Sequence, residues 1–293
     1  MPEFVLTLVA AAPADAEMAA TALRQAGATV GMPNSLAPEA FDLPFEEIAP
    51  ESAEHAVRDA FPGRALDVIA QPALGRRKKL LVIDLESTLI ENEMLEELAA
   101  FAGVRDHVAA ITRRAMNGEI DFLDALNERV GLLSGQPSTI LETAAARIRL
   151  MPGAAALVRT MRASGATCAI VSGGFRVFAE PVREQLECDI VVANSLEVKA
   201  GQITGRLVPP VFGREAKLAT LKKLAAELGL PLAATLAAGD GANDLPMLKA
   251  AGLGIAFHGR PAVRAEARWR IDHADLRALL YAQGYRVEEI VER

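Results

Sequence analysis

At 293 residues, with 51% hydrophobic and 24% charged residues, the chain has enough apolar side chains for a buried core and is far from a disordered composition. Its formal net charge of -7 argues against nucleic acid or an anionic membrane as main partner, because either selects a basic surface. The length suits one core domain with one or two smaller pieces, not three full domains.

Residues 4–11, 41–48 and 65–71 read as strands and 15–25 and 51–61 as helices, so residues 1–75 form a small α+β domain. The apolar stretch at 4–12 follows Glu3, and the first basic residue is Arg24, so the basic start of a signal peptide is missing. No apolar run reaches membrane-spanning length. Cys168 and Cys188 both sit in apolar surroundings, as expected of buried thiols in a reducing compartment. The expected location is therefore cytoplasmic, with no membrane partner. Arg76, Arg77, Lys78 and Lys79 read as a solvated linker before the next strand, too short for a nucleic-acid patch.

From Leu80 the pattern changes. Leu80, Leu81, Val82 and Ile83 form a continuous apolar run ending in Asp84, as in a strand covered on both faces of a parallel sheet. Similar runs occur at 166–171, 189–193, 235–238 and 254–257, with helical segments such as 214–228 between them. The fold class expected is α/β, a doubly wound parallel sheet occupying 76–90 and 150–293. Such sheets place ligands beyond the carboxyl ends of their strands. Residues 91–149 read as consecutive helices with turn signals at Gly103, Asn117-Gly118 and Gly135-Gln136-Pro137, too much chain for one crossover. They are expected to form a helical cap over the strand ends, the kind of lid that excludes water.

Three strand ends carry chemistry-bearing residues. Asp84, in Asp84-Leu85-Glu86-Ser87-Thr88, is placed to attack phosphorus from a rigid element, or simply to cap the next helix. Gly239-Asp240-Gly241-Ala242-Asn243-Asp244 offers the hard oxygen donors that Mg²⁺ prefers, although such a sequence also suits a plain turn. Ser172, Gly173 and Gly174 provide a hydroxyl and accessible amides for phosphoryl oxygens. Lys217, near a helix start, is a point cation for the same charge or an ordinary surface lysine.

These motifs, in this order over about residues 78–280, resemble the haloacid dehalogenase superfamily and, within it, the phosphoserine phosphatases. The resemblance implies a haloacid dehalogenase-like core and hydrolysis of phosphoserine through an aspartyl-phosphate on Asp84, the last step of serine biosynthesis. It implies Mg²⁺ held by Asp84, Asp240 and the Glu86 carbonyl with Asp244 nearby, and phosphoryl oxygens held by Ser172, Gly173 and Lys217. Asn243 would help order the loop at the substrate. Glu93 would meet the substrate amino group, Arg129 its carboxylate, and Met116 and Phe122 would be further cap contacts. Glu86 would be the general acid and base; most of the family has aspartate there, and glutamate is longer by one methylene. A shift of that size can cost about a hundredfold in rate. The order of elements in the N-terminal domain resembles small ACT-like amino-acid-binding modules, a packing or homodimerisation unit being the other reading. Two alternatives stand beside the main one: a phosphatase for another small phosphomonoester, and a catalytically weak amino-acid sensor. The four histidines, His55, His107, His258 and His273, lie outside every motif.

Overall fold

The computed structural model describes residues 2–116 and 119–292. The N-terminal unit runs β1 (Phe4–Val9), α1 (Pro13–Gln25), β2 (Thr29–Val30), β3 (Asn34–Ala37), β4 (Ala40–Glu46), α2 (Pro50–Ala60) and β5 (Asp67–Pro72). Its antiparallel sheet has the order β2-β4-β1-β5, with β3 also paired to β4. Side chains along β1 alternate: Leu6 and Leu8 join a core with Ala19 and Leu23 of α1, while Val9 joins the main core of the protein. This period of two lets one strand serve two layers. Pro13 opens α1, where a missing N–H costs nothing, and Asp15 Oδ2 accepts the Ala12 N–H at 2.7 Å.

The larger unit starts with β6 (Leu80–Ile83) and continues through the cap helices α3 (Met94–Phe101), α4 (Arg105–Met116), α5 (Phe122–Gly131) and α6 (Thr139–Ala145). Then come α7 (Ala154–Ala163), β7 (Thr167–Phe175), α8 (Arg176–Leu186), β8 (Ile190–Lys199), β9 (Gln202–Val208) and α9 (Ala216–Glu227). The chain finishes with β10 (Thr235–Gly239), α10 (Leu245–Ala250), β11 (Leu253–Phe257), α11 (Pro261–Glu266), β12 (Trp269–Ile271) and α12 (Ala278–Ala282).

The sheet order is β12-β11-β10-β6-β7-β8-β9. All neighbours are parallel except β8 and β9, which form an antiparallel hairpin at one edge. Leu81 and Ile83 of β6 pack into one core cluster and Leu80 and Val82 into another, on opposite faces, as the unbroken apolar run predicts. The chain leaves β6 toward β7 and β8, then returns to the other side for β10 to β12. Strand order thus reverses beside β6, which makes its carboxyl end the switch point where such sheets open a crevice. Among the described residues no helix is long and apolar enough to cross a membrane.

The two units are docked tightly. Arg76 donates to both carboxylate oxygens of Asp42, at 2.6 and 3.0 Å, and to the Ala282 carbonyl at 3.2 Å. Asp67 accepts backbone N–H groups of Asp272, His273 and Ala274. Side-chain exposure of 13% for Arg76 and 7% for Asp42 makes their pair a buried one. Asp42→Ala, which strands the guanidinium, should therefore cost about 3–5 kcal/mol in urea unfolding. A loss below about 1 kcal/mol, the worth of a surface pair, would show that the contact does not hold the units together.

Candidate active site

Asp84 directly follows β6, its backbone N–H tied to the Ala238 carbonyl of β10 at 3.0 Å. Asp84 Oδ1 accepts the Leu85 N–H at 2.8 Å and lies 2.8 Å from Lys217 Nζ. The position of Lys217 in the first turn of α9 buries its ammonium group at 3% exposure, where it also donates to Asp244 Oδ1. This is no surface lysine. Asp244, fully buried at the start of α10, accepts the Gly241 N–H on Oδ2 at 2.9 Å. It can come so close only because position 239 is glycine, where a Cβ would stand 2.3 Å from Asp244 Cγ.

Asp84, Asp240 and Asp244 offer carboxylate oxygens all within 4.8 Å of one another, each residue buried. Burial and the neighbouring Asp84 push the Asp240 carboxyl up to about 6. Burial likewise pushes Asp244 up to about 7, against the opposing pull of Lys217. For Lys217, burial alone would lower the ammonium, but Asp244 and Asp84 outweigh it and hold it above its ordinary value. Three carboxylates against one ammonium leave excess negative charge in a dry place. Hard oxygen donors grouped in this way fit Mg²⁺.

The Glu86 carboxyl is driven up to about 8 by burial, then by Glu93 and Asp84. Its Oε1 accepts the N–H of Met94, the first residue of α3, at 3.0 Å. Glu93 Oε1 accepts from Ser87 Oγ at 2.8 Å and from Arg260 Nη2 at 3.1 Å. Arg129, half-buried on α5, donates from Nε to the Ala125 carbonyl at 3.1 Å, and burial lowers its guanidinium below the ordinary value. Ser172 is buried near the end of β7, with its Oγ accepting the Gly174 N–H at 2.9 Å. Phe122 lies over the same turn, its Cζ 3.2 Å from where a Cβ on Gly173 would be.

Asp84, Glu86, Glu93, Phe122, Arg129 and Ser172 line one cavity of about 330 Å³, together with Gly173, Asp240 and Asn243. That volume is at the lower end of the range for small-molecule sites. Lys217 and Asp244 stand behind Asp84. The side chain of Met116 and the turn at Asn117-Gly118 lie outside the described residues.

Arg260 is a cavity residue absent from the sequence-based set. Its N–H donates to the Asp240 carbonyl at 3.0 Å, and its guanidinium reaches toward both Asp240 and Glu93. It stands just beyond β11, so the strand-end argument that found Asp84 and Asp240 would also have reached it.

The chain matches the family model described as haloacid dehalogenase-like hydrolase over residues 81–249. It is 46% identical over 215 residues to the phosphoserine phosphatase SerB2 of Mycobacterium tuberculosis, covering 73% of this chain but only 53% of that protein. About half the length of that relative is thus spanned. With the phosphoserine phosphatase of Streptococcus thermophilus it shares 45% identity over 215 residues, 73% of this chain and 96% of that one. A solved structure described as a phospho-aspartyl intermediate analogue of phosphoserine phosphatase superposes with a TM-score of 0.66 at 40% identity, covering 70% of this chain and 98% of that one. The chain belongs to the haloacid dehalogenase-like hydrolases and, within them, to the phosphoserine phosphatase family.

Proposed function

We propose that the protein hydrolyses O-phosphoserine to serine and phosphate through an aspartyl-phosphate on Asp84. The observation that carries this reading is one cavity lined by Asp84 and Ser172 from the core strands and by Glu93 and Arg129 from the cap. A phosphate ester bearing both an ammonium and a carboxylate matches that distribution of charge.

Lys217 and the Leu85 N–H both engage Asp84 Oδ1, which leaves Oδ2 as the oxygen that attacks phosphorus. Ser172 and the Gly173 amide hold the phosphoryl oxygens, and Lys217 balances charge on the nucleophile. Glu86, carrying a proton because its pKa is raised to about 8, gives that proton to the departing serine oxygen. It then takes one from the water that attacks the phosphorus of the aspartyl-phosphate, so Asp84 is released as a carboxylate. Mg²⁺ would be held by Asp84, Asp240, Asp244 and the Glu86 carbonyl, and when bound it supplies charge neutralisation at the phosphoryl group. Arg129 orients the substrate carboxylate and Glu93 the ammonium, as a planar guanidinium and a carboxylate suit those groups.

Asp84→Asn should abolish turnover with the fold intact, because an amide does not attack phosphorus. Acid quench after labelled phosphoserine should trap phosphate on the wild-type protein only, and equal labelling of the variant would remove Asp84 from the nucleophile role.

The metal site has a readout free of activity. Mg²⁺ at a hundred times its Kd should stabilise the metal-free protein by about 2.7 kcal/mol. Asp240→Asn should lose most of the resulting rise in melting temperature, whereas the same rise in both proteins would place the ion elsewhere.

Arg129→Ala should lower kcat/KM for phosphoserine by about 10- to 150-fold, the worth of charged hydrogen bonds at about 1.5–3 kcal/mol. A phosphate ester lacking the carboxylate should lose far less. Equal losses on the two substrates would mean that the cap does not read the amino acid.

A further inference from the structure

Glu86 reaches one methylene further than an aspartate would from the same backbone position, and the structure holds a place for the extra length. A Cβ built on Gly174 would stand 3.0 Å from Glu86 Oε2 and 3.1 Å from both Cδ and Oε1, and these are its three nearest atoms. That is inside ordinary van der Waals separation, which is about 3.5–4.0 Å between carbons. The φ of Gly174 lies outside the left-handed region, so alanine meets no backbone strain there. Its N–H bond to Ser172 Oγ needs no side chain. The Glu86 carboxyl is the first group that a methyl at 174 would meet. Retreat from it would strain the bond in which Glu86 Oε1 accepts the Met94 N–H at 3.0 Å.

We propose that Gly174 and the Met94 amide form a seat that positions a glutamate, in place of an aspartate, for proton transfer, which makes Gly174 a positioning residue. The proposal rests on the reading of Glu86 as general acid and base. An aspartate at 86 is too short to fill this seat, so it leaves the Met94 amide without its acceptor and sets the acid back from the leaving oxygen. A methyl group at 174 has the opposite preference: it displaces the glutamate and leaves the aspartate room. Position 174 therefore decides which acid works better.

The test is a double-mutant cycle on the full chain, with kcat and KM measured on phosphoserine at saturating Mg²⁺. Gly174→Ala should lower kcat about 3- to 10-fold, because contacts at 3.0–3.1 Å displace the carboxyl by a few tenths of an ångström and an ångström costs about a hundredfold, with KM changed by less than about threefold. Glu86→Asp should lower kcat in the parent, yet raise it when added to the Gly174→Ala protein. The same loss from Gly174→Ala beside Glu86 and beside Glu86→Asp would overturn the seat, because the substitution would then act through the phosphate loop. Glu86→Gln tests the underlying reading alone: a large loss of kcat upholds it, and wild-type turnover with chemistry rate-limiting ends it. The seat itself is also read without activity. Gly174→Ala should lower the melting temperature of the metal-free parent but hold or raise it in the Glu86→Asp protein, as a Gly-to-Ala change without a clash does. Equal shifts in the two backgrounds would overturn the seat whatever the kinetics.

Discussion

The buried ammonium of Lys217 is the group on which the site depends. Taking such a charge out of water is tolerable only with paired, hydrogen-bonded counter-charges, and it has two, Asp84 and Asp244. Three elements are locked together by that arrangement: the end of β6, the start of α9 and the start of α10. It also fixes the Asp84 carboxylate, whose Oδ1 is held by Lys217 and the Leu85 N–H, so that its two oxygens are no longer equivalent. The sheet provides the rigidity behind it. Asp84 and Asp240 leave adjacent parallel strands, so their separation is fixed by strand spacing and not by loop conformation.

Glu86 ties this core motif to the cap. The cap leaves and rejoins the core through a narrow neck, in which Glu91 N–H donates to the Arg149 carbonyl and Met151 N–H to the Leu89 carbonyl. Immediately beyond the neck, the Met94 amide at the start of α3 binds the Glu86 carboxyl. A second attachment lies at the far side, where Gly135 N–H donates to the Ile203 carbonyl and Ser138 N–H to the Gly201 carbonyl of the β8–β9 hairpin. The placement of the Glu86 carboxyl therefore depends on the first turn of α3 staying against the loop. Met94 and Phe122 both belong to the cap, so the position of the cap against the core sets the Glu86 hydrogen bond and the cover over Gly173 together.

The sequence made the central strands and the strand-end motifs legible because burial on both faces writes an unbroken apolar run, and β6, β7, β10 and β11 all have one. The short strands β2, β3 and β12 left no such mark. Each has two to four residues, too few for a period to show. The hairpin strand β9, Gln-Ile-Thr-Gly-Arg-Leu-Val, is half polar because it lies at the sheet edge with the cap on one side. Asp84, Ser172, Asp240 and Asn243 each sit next to a strong local signal, the end of a buried strand, whereas Lys217 stands out only through the order of the motifs around it. The seat for Glu86 could not be found in that way. It is made by positions 86, 94 and 174, whose proximity exists only once β6 and β7 are paired and α3 is folded back.

Charge in the cavity is sorted by the fold, and this bears on what it accepts. Around Asp84 the carboxylates are in excess, which suits a cation and, through it, a phosphoryl dianion. On the cap side Glu93 is already engaged by Ser87 and Arg260, and burial still raises its pKa above the usual range. Arg129 donates to the Ala125 carbonyl of its own helix and to Thr112 Oγ1 at 3.4 Å, and burial lowers its pKa against the opposing pull of Glu86, Glu93 and Glu96. Glu93 and Arg129 thus bring opposite charges to a single cavity, and Glu93 is among the carboxylates that act on Arg129. The cavity is therefore lined by charges of both signs, the carboxylates about Asp84 coming from the core strands and Glu93 and Arg129 from the cap.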